Sequence, residues 1–308
     1  MFEYRQVLYF RAVASCGSIS AAAAKLHIAQ PALSAQIMSL EQKLGQPLFS
    51  RHARGVSLTP HGEVFSVHAD LIVARFEAAE HAVKTLNQEI GGPVTIGLPI
   101  TVANVLTGPI LAAVNSQHPN IELAIVEALS GEIARWHVDG RFDLSVLYRF
   151  TPAYDEEVVP LVVEDLWAFG RKSTLEQFGA EIPLDELESL AIYHTSPSHV
   201  CREALMSAAS SKRVQLRVVA EVDSIVRLNE MALGSNGITV FPLASIPPSA
   251  LATGHACRIV SPDIALATTI ETSPKRSPTR ATEAVLHLIR GVAHEALANG
   301  RWVGARAA

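Results

Sequence analysis

Two sets of side chains in this sequence have the types and spacing to do chemistry. The first lies in SISAAAAKLHIAQPALSAQIMSLEQKLG, residues 18–45, and in Arg51 and Arg54 just beyond it. One helical face there would hold Pro31, Ala35, Ser39 and Gln42, with Gln30 and Ser34 on its flank, all short or amide-bearing and none charged. A glutamine amide bonds an adenine edge, a serine hydroxyl bonds a base or a phosphate, and guanidinium groups pair with phosphates. The second set is spread over the later two-thirds: Thr101, Ser130, Tyr148, Arg149, His194, Ser196, His199 and Asp223. Hydroxyls and N–H groups of HTSPSH, residues 194–199, would favour an anion at a helix start. The same segment also reads as a plain cap, with Ser196 at the N-cap and Pro197 at the first helical position. His194 and His199 would add charge below neutral pH. Asp223 would bind an amine, repel an acidic ligand, or cap the helix after it.

The first set needs helices to carry it. Ser18 follows Gly17 and precedes an alanine-rich run, which predicts an N-capped helix over residues 19–26. Pro31 cannot continue that helix but suits a first turn, so a second helix starts near Gln30 and ends at Gly45. Leu33, Ile37, Leu40 and Leu44 form its buried face. A preceding helix over residues 4–15 supplies the packing partner, giving either a helix-turn-helix or an ordinary three-helix corner.

Beyond Gly62, the residues Phe65, Ala69, Ile72, Phe76, Ala79, Val83, Leu86 and Ile90 alternate steps of four and three, an a/d seam. It would pair with a second copy of the chain or pack on its own domain, and Phe65, Ile72, Phe76, Val83 and Leu86 are the candidate contacts. Gly91, Gly92 and Pro93 then mark a boundary.

Charge separates the two parts. The net charge is −5, yet residues 1–60 hold six basic residues against two acidic ones, +4, leaving −9 for the remainder. A basic module on an acidic body suits a polyanion at one end only. With 49% hydrophobic and 18% charged residues the chain is globular rather than disordered. Cys16, Cys201 and Cys257 are scattered, so neither a disulfide framework nor a zinc site is expected. Charge inside the first apolar run argues against a signal peptide, and no stretch of about 18 apolar residues offers a membrane span. The expected location is the cytoplasm.

From Pro93 onward, β-rich runs such as VTIGLPI, IELAIVEA and DLSVLYRF alternate with helical patterns near residues 105–117, 131–137, 198–210 and 225–233. That alternation predicts an α/β architecture with largely parallel sheets and a ligand site beyond the strand ends. G-x-S-x-G, G-x-x-x-x-G-K-[ST], H-E-x-x-H and a strand-linked G-x-G-x-x-G are all missing, so no enzyme is expected.

The string YFRAVASCGSISAAAAKLHIAQPALSAQIMSLEQKLGQPLFSRHARGVSLTPHGE, Tyr9 to Glu63, closely resembles the N-terminal module of LysR-type transcriptional regulators. The resemblance implies a winged helix-turn-helix at residues 1–60, a dimerisation linker helix at 61–90, and an effector domain at 91–308. That last domain would be an α/β fold like periplasmic solute-binding proteins, with lobe I about 91–160 and 267–308 and lobe II about 161–266. The chain would cross between lobes near residues 159–163 and 263–267. It also implies double-stranded DNA as partner, with Gln30, Pro31 and Ser34 at the DNA-facing helix start, and Arg51 and Arg54 in the wing beside phosphates. Ser18 and Ala35 belong to the same surface. Ala29 stands where a serine is frequent and Ala35 where a long polar side chain is, so thymine methyls and DNA shape would carry more of the readout. Further implied partners are a small-molecule, anionic effector, a second or fourth copy of the chain, and RNA polymerase; no cofactor, metal or membrane is implied. The ending LIRGVAHEALANGRWVGARAA, with Trp302, resembles a subgroup that includes nitrogen-assimilation control regulators, which implies action with little or no effector.

Overall fold

The computed structural model describes residues 1–52, 55–84, 89–150 and 158–308, without the side chains at 74, 78, 81, 82 and 84. The chain divides into two compact units, Met1–Gln88 with Pro274–Thr279, and Glu89–Ser273 with Arg280–Ala308.

In the first unit, α1 (Tyr4–Cys16), α2 (Ile19–Lys25) and α3 (Gln30–Leu44) precede a hairpin of β1 (Phe49–His52) and β2 (Gly55–Leu58), and then α4 (Pro60–Lys84). The boundaries follow local chemistry. Ser18 Oγ accepts from Ala21 N at the start of α2, Pro31 lies in the first turn of α3, and Gly45 closes α3 in the left-handed region at φ 70°. Ala29, the N-cap of α3, has no side-chain hydrogen bond, as an alanine must. Glu41 Oε1 accepts from both Leu48 N and Phe49 N, which fastens the hairpin to the end of α3. Val56 N donates to Gly17 O at 2.9 Å, and a Cβ on Gly55 would sit 2.2 Å from that oxygen, so this approach requires glycine.

The core joins Val7, Phe10 and Val13 of α1, Ala22 of α2, and Leu33, Ile37 and Leu40 of α3 to Ala69 and Val73 of α4. The first part of the expected α4 seam packs on its own unit. Phe65 and Ile72 are half-buried against this core, with Phe65 edge-on to Phe2 and Phe10 at 5.7 and 4.9 Å between ring centroids. Phe76 stacks on Tyr4 at 4.0 Å. A heptad pattern marks an apolar face without naming what covers it: here the unit's own core covers Phe65, Ala69 and Ile72, while Phe76, despite its contact with Tyr4, stays exposed. Val83 is exposed, and Leu86 lies outside the described residues. Val64 and Val67, on another face of α4, are also exposed.

The second unit contains β3 (Gly91–Pro99), α5 (Ile100–Gln117), β4 (Asn120–Ala128), α6 (Ser130–Val138), β5 (Leu144–Arg149), β6 (Val158–Arg171), α7 (Lys172–Leu175), β7 (Glu181–Pro183), β8 (Ala191–His194), α8 (Val200–Lys212), β9 (Arg217–Glu221), α9 (Ile225–Gly234), β10 (Ile238–Pro242), α10 (Pro248–Thr253), β11 (Gly254–Val260), β12 (Ala265–Thr272), α11 (Arg280–Ala298) and β13 (Ala305–Ala307). Its sheet runs β4-β3-β5-β12-β6-β10-β8-β9, with β11 and β13 also on β6 and β7 on β11. Pairs β3·β4, β3·β5, β8·β9 and β8·β10 are parallel, whereas every partner of β6 is antiparallel, so the centre is mixed rather than parallel as expected.

β6 changes partner along its length. Residues from Val158 to Asp165 pair with β12, and residues from Leu166 to Gly170 pair with β10. One continuous 14-residue strand therefore passes from β12 to β10 between Asp165 and Leu166. Leu166 N also donates to Ile264 O at 2.8 Å, ahead of β12.

Candidate functional site

Two places gather the candidate residues, one in each unit. On α3, Gln30, Pro31 and Ala35 are exposed and Ser34 is half-buried. Arg51 on the hairpin donates from its guanidinium to Ser34 Oγ at 3.5 Å, so the wing arginine rests against the helix. Ser18 is committed to its cap. Arg54 lies outside the described residues. Other polar side chains of α3 face inward: Gln36 Oε1 accepts from Gln6 Nε2, and Lys43 Nζ donates to Gln6 Oε1. The outward surface of α3 is thus uncharged and dominated by small groups, with one large exception, Met38, which is 48% exposed and was not among the sequence candidates.

In the second unit, strand ends and helix starts bring the other set together, but mostly indoors. Thr101 and Tyr148 are buried and share a hydrogen bond of 2.6 Å. Burial, with the Glu164 carboxylate nearby, pushes the Tyr148 hydroxyl well above its usual pKa. Glu164, 1% exposed on β6, accepts from Thr268 Oγ1 at 2.8 Å and from Trp302 Nε1 at 2.9 Å. Burial raises its pKa, and those hydrogen bonds oppose the rise. Neither Glu164 nor the pairing with Trp302 was foreseen, although a carboxylate inside the apolar run VVPLVVEDLWAF was the available signal.

His194 and His199 are not surface groups. They are buried against Phe241, at 4.7 and 5.6 Å between ring centroids, and burial is the main cause that lowers both pKa values, that of His199 to about 4. Both therefore stay neutral well below pH 7, His199 down to about pH 4, and the charge expected just below neutral pH is absent. The helix cap also moves: α8 begins at Val200 with His199 as N-cap, its Nδ1 accepting from Cys201 N, so Ser196 and Pro197 lie ahead of the helix.

Most of the N–H groups proposed for an anion already have acceptors. Thr195 N donates to His194 Nδ1, Ser196 N to Asp223 Oδ1, His199 N to Ser196 O, Val200 N to Ser130 Oγ and Cys201 N to His199 Nδ1. Asp223 therefore braces this loop; Ser224, not Asp223, is the N-cap of α9. Arg149 is likewise engaged, its Nε and a terminal nitrogen both donating to the buried Glu271 carboxylate.

Outside this packed interior, α6 and the loop before α8 border a cleft of about 650 Å³. Gly131 closes one side of it, since a Cβ there would stand 2.4 Å from Ser198 O. The cleft is lined by the carboxylates of Glu127, Glu132 and Asp223 against one guanidinium, Arg135. That balance makes this cleft itself a poor place for an anion, since like charges repel. Among the described residues no group of three or more His, Cys, Asp or Glu side chains is placed to hold a metal, and no single helix is long and apolar enough to cross a membrane.

Comparison with known proteins places both units. Residues 4–63 match the model of the bacterial regulatory helix-turn-helix protein, lysR family, and residues 87–294 match the LysR substrate binding domain. The nitrogen assimilation regulatory protein nac of Klebsiella aerogenes is 30% identical over 287 residues, covering 92% of this chain and 93% of its own. The nac protein of Escherichia coli (strain K12) is 29% identical over 292 residues, covering 94% and 95%. Among solved structures, a peroxide-bound mutant of Corynebacterium glutamicum OxyR superposes with a TM-score of 0.57 at 22% identity over 98% of this chain and 97% of that one, a likeness of fold alone.

Proposed function

The chain belongs to the LysR family of bacterial DNA-binding transcriptional regulators, and from that premise we propose that residues 1–60 recognise an operator, residues 61–90 pair two copies, and residues 91–308 form the effector domain. Lobe I of that domain would comprise about 91–160 and 267–308, and lobe II about 161–266. The observation that carries the reading is α3 itself: a helix held by α1 and the wing, whose outward face bears no charge and, apart from Met38, short or amide-bearing side chains. Such a face enters a major groove of about 12 Å width without steric conflict. Gln30, Pro31, Ser34 and Ala35 face the bases in this reading, while Arg51 and Arg54 pair with phosphates and Ser18 holds the turn. Two copies set the α3 helices about one DNA turn apart, which makes a paired site. Pairing through α4 would use the residues that its own unit leaves exposed, Val64, Val67, Phe76 and Val83. A homotetramer, contact with RNA polymerase, a cytoplasmic site of action and nitrogen-assimilation genes as targets complete the proposal.

For the second unit, two readings stand. A small molecule would bind the 650 Å³ cleft and shift the balance between two assemblies, which requires different affinity for each. The packed interior of Thr101, Tyr148, Glu164, His194 and Cys201 favours the alternative, action without an effector, because the chain's own side chains fill the strand ends.

Electrophoretic mobility shift of the full-length chain tests the core of the proposal. Preference for the DNA beside its own gene over random duplex is expected. Equal binding to both would overturn operator recognition, and calorimetric titration of the same protein with a metabolite panel separates the two effector readings.

A further inference from the structure

The helix that we assign to base reading carries its one large exposed apolar side chain, Met38, on its outward face. At 100° per residue, Pro31, Ala35, Met38 and Gln42 fall within an arc of about 60°, with Met38 at the edge nearer Ser34, opposite the buried Leu33, Ile37 and Leu40 and the half-buried Leu44. Gln30 and Ser34 lie well to one side of that arc. Ser34 is moreover held by Arg51, and Gln36 and Lys43 are turned to Gln6. The centre of the outward face is therefore apolar over its first two turns.

We propose that Met38, together with Ala35 and Pro31, reads thymine methyl groups in the major groove; this deepens, and rests on, the base-reading role proposed for α3. The C5-methyl of thymine is the one apolar group on the groove edge of a base pair, and apolar side chains select it by contact. From Pro31 to Met38 the helix rises about 10 Å, which spans roughly three base steps of 3.4 Å. Ala35, in the middle, keeps the backbone close to the bases. Met38 reaches across the remaining gap, and its unbranched thioether adapts to a methyl group without a fixed rotamer. Its exposure of 48% leaves much of its surface to be covered. Covering one methyl group is worth about fourfold in Kd. The reading implies that each half-site carries one or two thymines whose methyls matter, in place of the guanines that a basic side chain at these positions would favour.

The experiment uses the full-length chain. An operator is first obtained by selection from random duplexes, and deoxyuridine then replaces thymine at one position at a time. Fluorescence anisotropy should show about three- to fivefold weaker binding at one or two positions per half-site. Met38→Ala should abolish that thymine preference at those positions and leave other base preferences in place. Met38 is half in solvent, so the variant should keep the thermal midpoint of the wild type, measured alongside. A selected operator with no loss on deoxyuridine substitution anywhere would overturn the proposal while leaving base reading by α3 intact. A preference that persists in Met38→Ala would do the same. A selection that returns no sequence preference would overturn both.

Discussion

Replacing Trp302 with phenylalanine tests whether the C-terminal tail holds β6 in place. Trp302 is 2% exposed, and its indole donates at 2.9 Å to Glu164 Oε1 on β6. Three residues on, β13 pairs with Val162, Val163 and Glu164 of the same strand, and a Cβ at Gly304 would stand 2.7 Å from Leu243 Cβ. Phenylalanine keeps most of the apolar bulk and removes the donor, leaving one oxygen of a buried carboxylate unpaired. That loss costs about 1–3 kcal/mol, and in a domain of this size it lowers the thermal midpoint by about 2–12 °C. The pH dependence is the sharper signature. Burial already raises the Glu164 pKa above its ordinary 4.5, so its contribution to stability is present below that value and lost as pH rises through the folded pKa. The Trp302 hydrogen bond opposes the rise, so its removal raises the pKa further. The cost of Trp302→Phe should then be largest near neutral pH and shrink as pH falls toward 4.5, while any packing loss stays constant. Urea unfolding followed by circular dichroism at about pH 5 and about pH 8 measures both parts, and Glu164→Gln in the variant background should remove the pH dependence. An equal cost at the two pH values, or an unchanged midpoint, would refute the reasoning.

Buried His199, with its pKa lowered to about 4, contributes stability present above the ordinary 6.5 and lost as pH falls toward 4. His199→Asn, which keeps a cap acceptor, should therefore flatten the fall in thermal midpoint over that range, at most about 3 kcal/mol of pH dependence. Alkylation of native protein followed by mass spectrometry should label Cys16 ahead of Cys201 and Cys257. Both of the latter are buried, with Cys201 pushed well above the usual thiol range and Cys257 to about 11. Arg51→Ala should weaken operator and random DNA alike and reduce the slope of log K against log salt by about 1, read by anisotropy across a salt series. Val67→Asp, at an exposed position of α4, should shift sedimentation toward the monomer if α4 pairs two copies through that face.

Much of the first unit is legible in the order of its residues. Ser18, Pro31 and Gly45 set helix ends through hydrogen bonds and backbone sterics that reach only a few positions along the chain, and the observed α2 and α3 match the expected spans within a residue. In the second unit, the alternation of apolar runs similarly marks most strands, although α5 begins at Ile100 rather than near residue 105. Patterns of apolar spacing failed where they had to name a partner. The heptads of α4 identify an apolar face, yet Phe10 and Tyr4, more than fifty residues away in sequence, decide that this face is partly covered from within.

The candidate ligand residues show the same division. Sequence by itself determined the residue types at strand ends and helix starts, the uncharged face of α3 and the basic first sixty residues, because those depend on composition and local periodicity. Only tertiary structure decided that Asp223 accepts from Ser196 N, that Arg149 is held by Glu271, and that Trp302 meets Glu164 across 138 positions of chain. Whether a histidine is charged, a carboxylate paired or an N–H free depends on burial and on groups brought in from distant elements, and neither is written in the spacing of neighbouring residues.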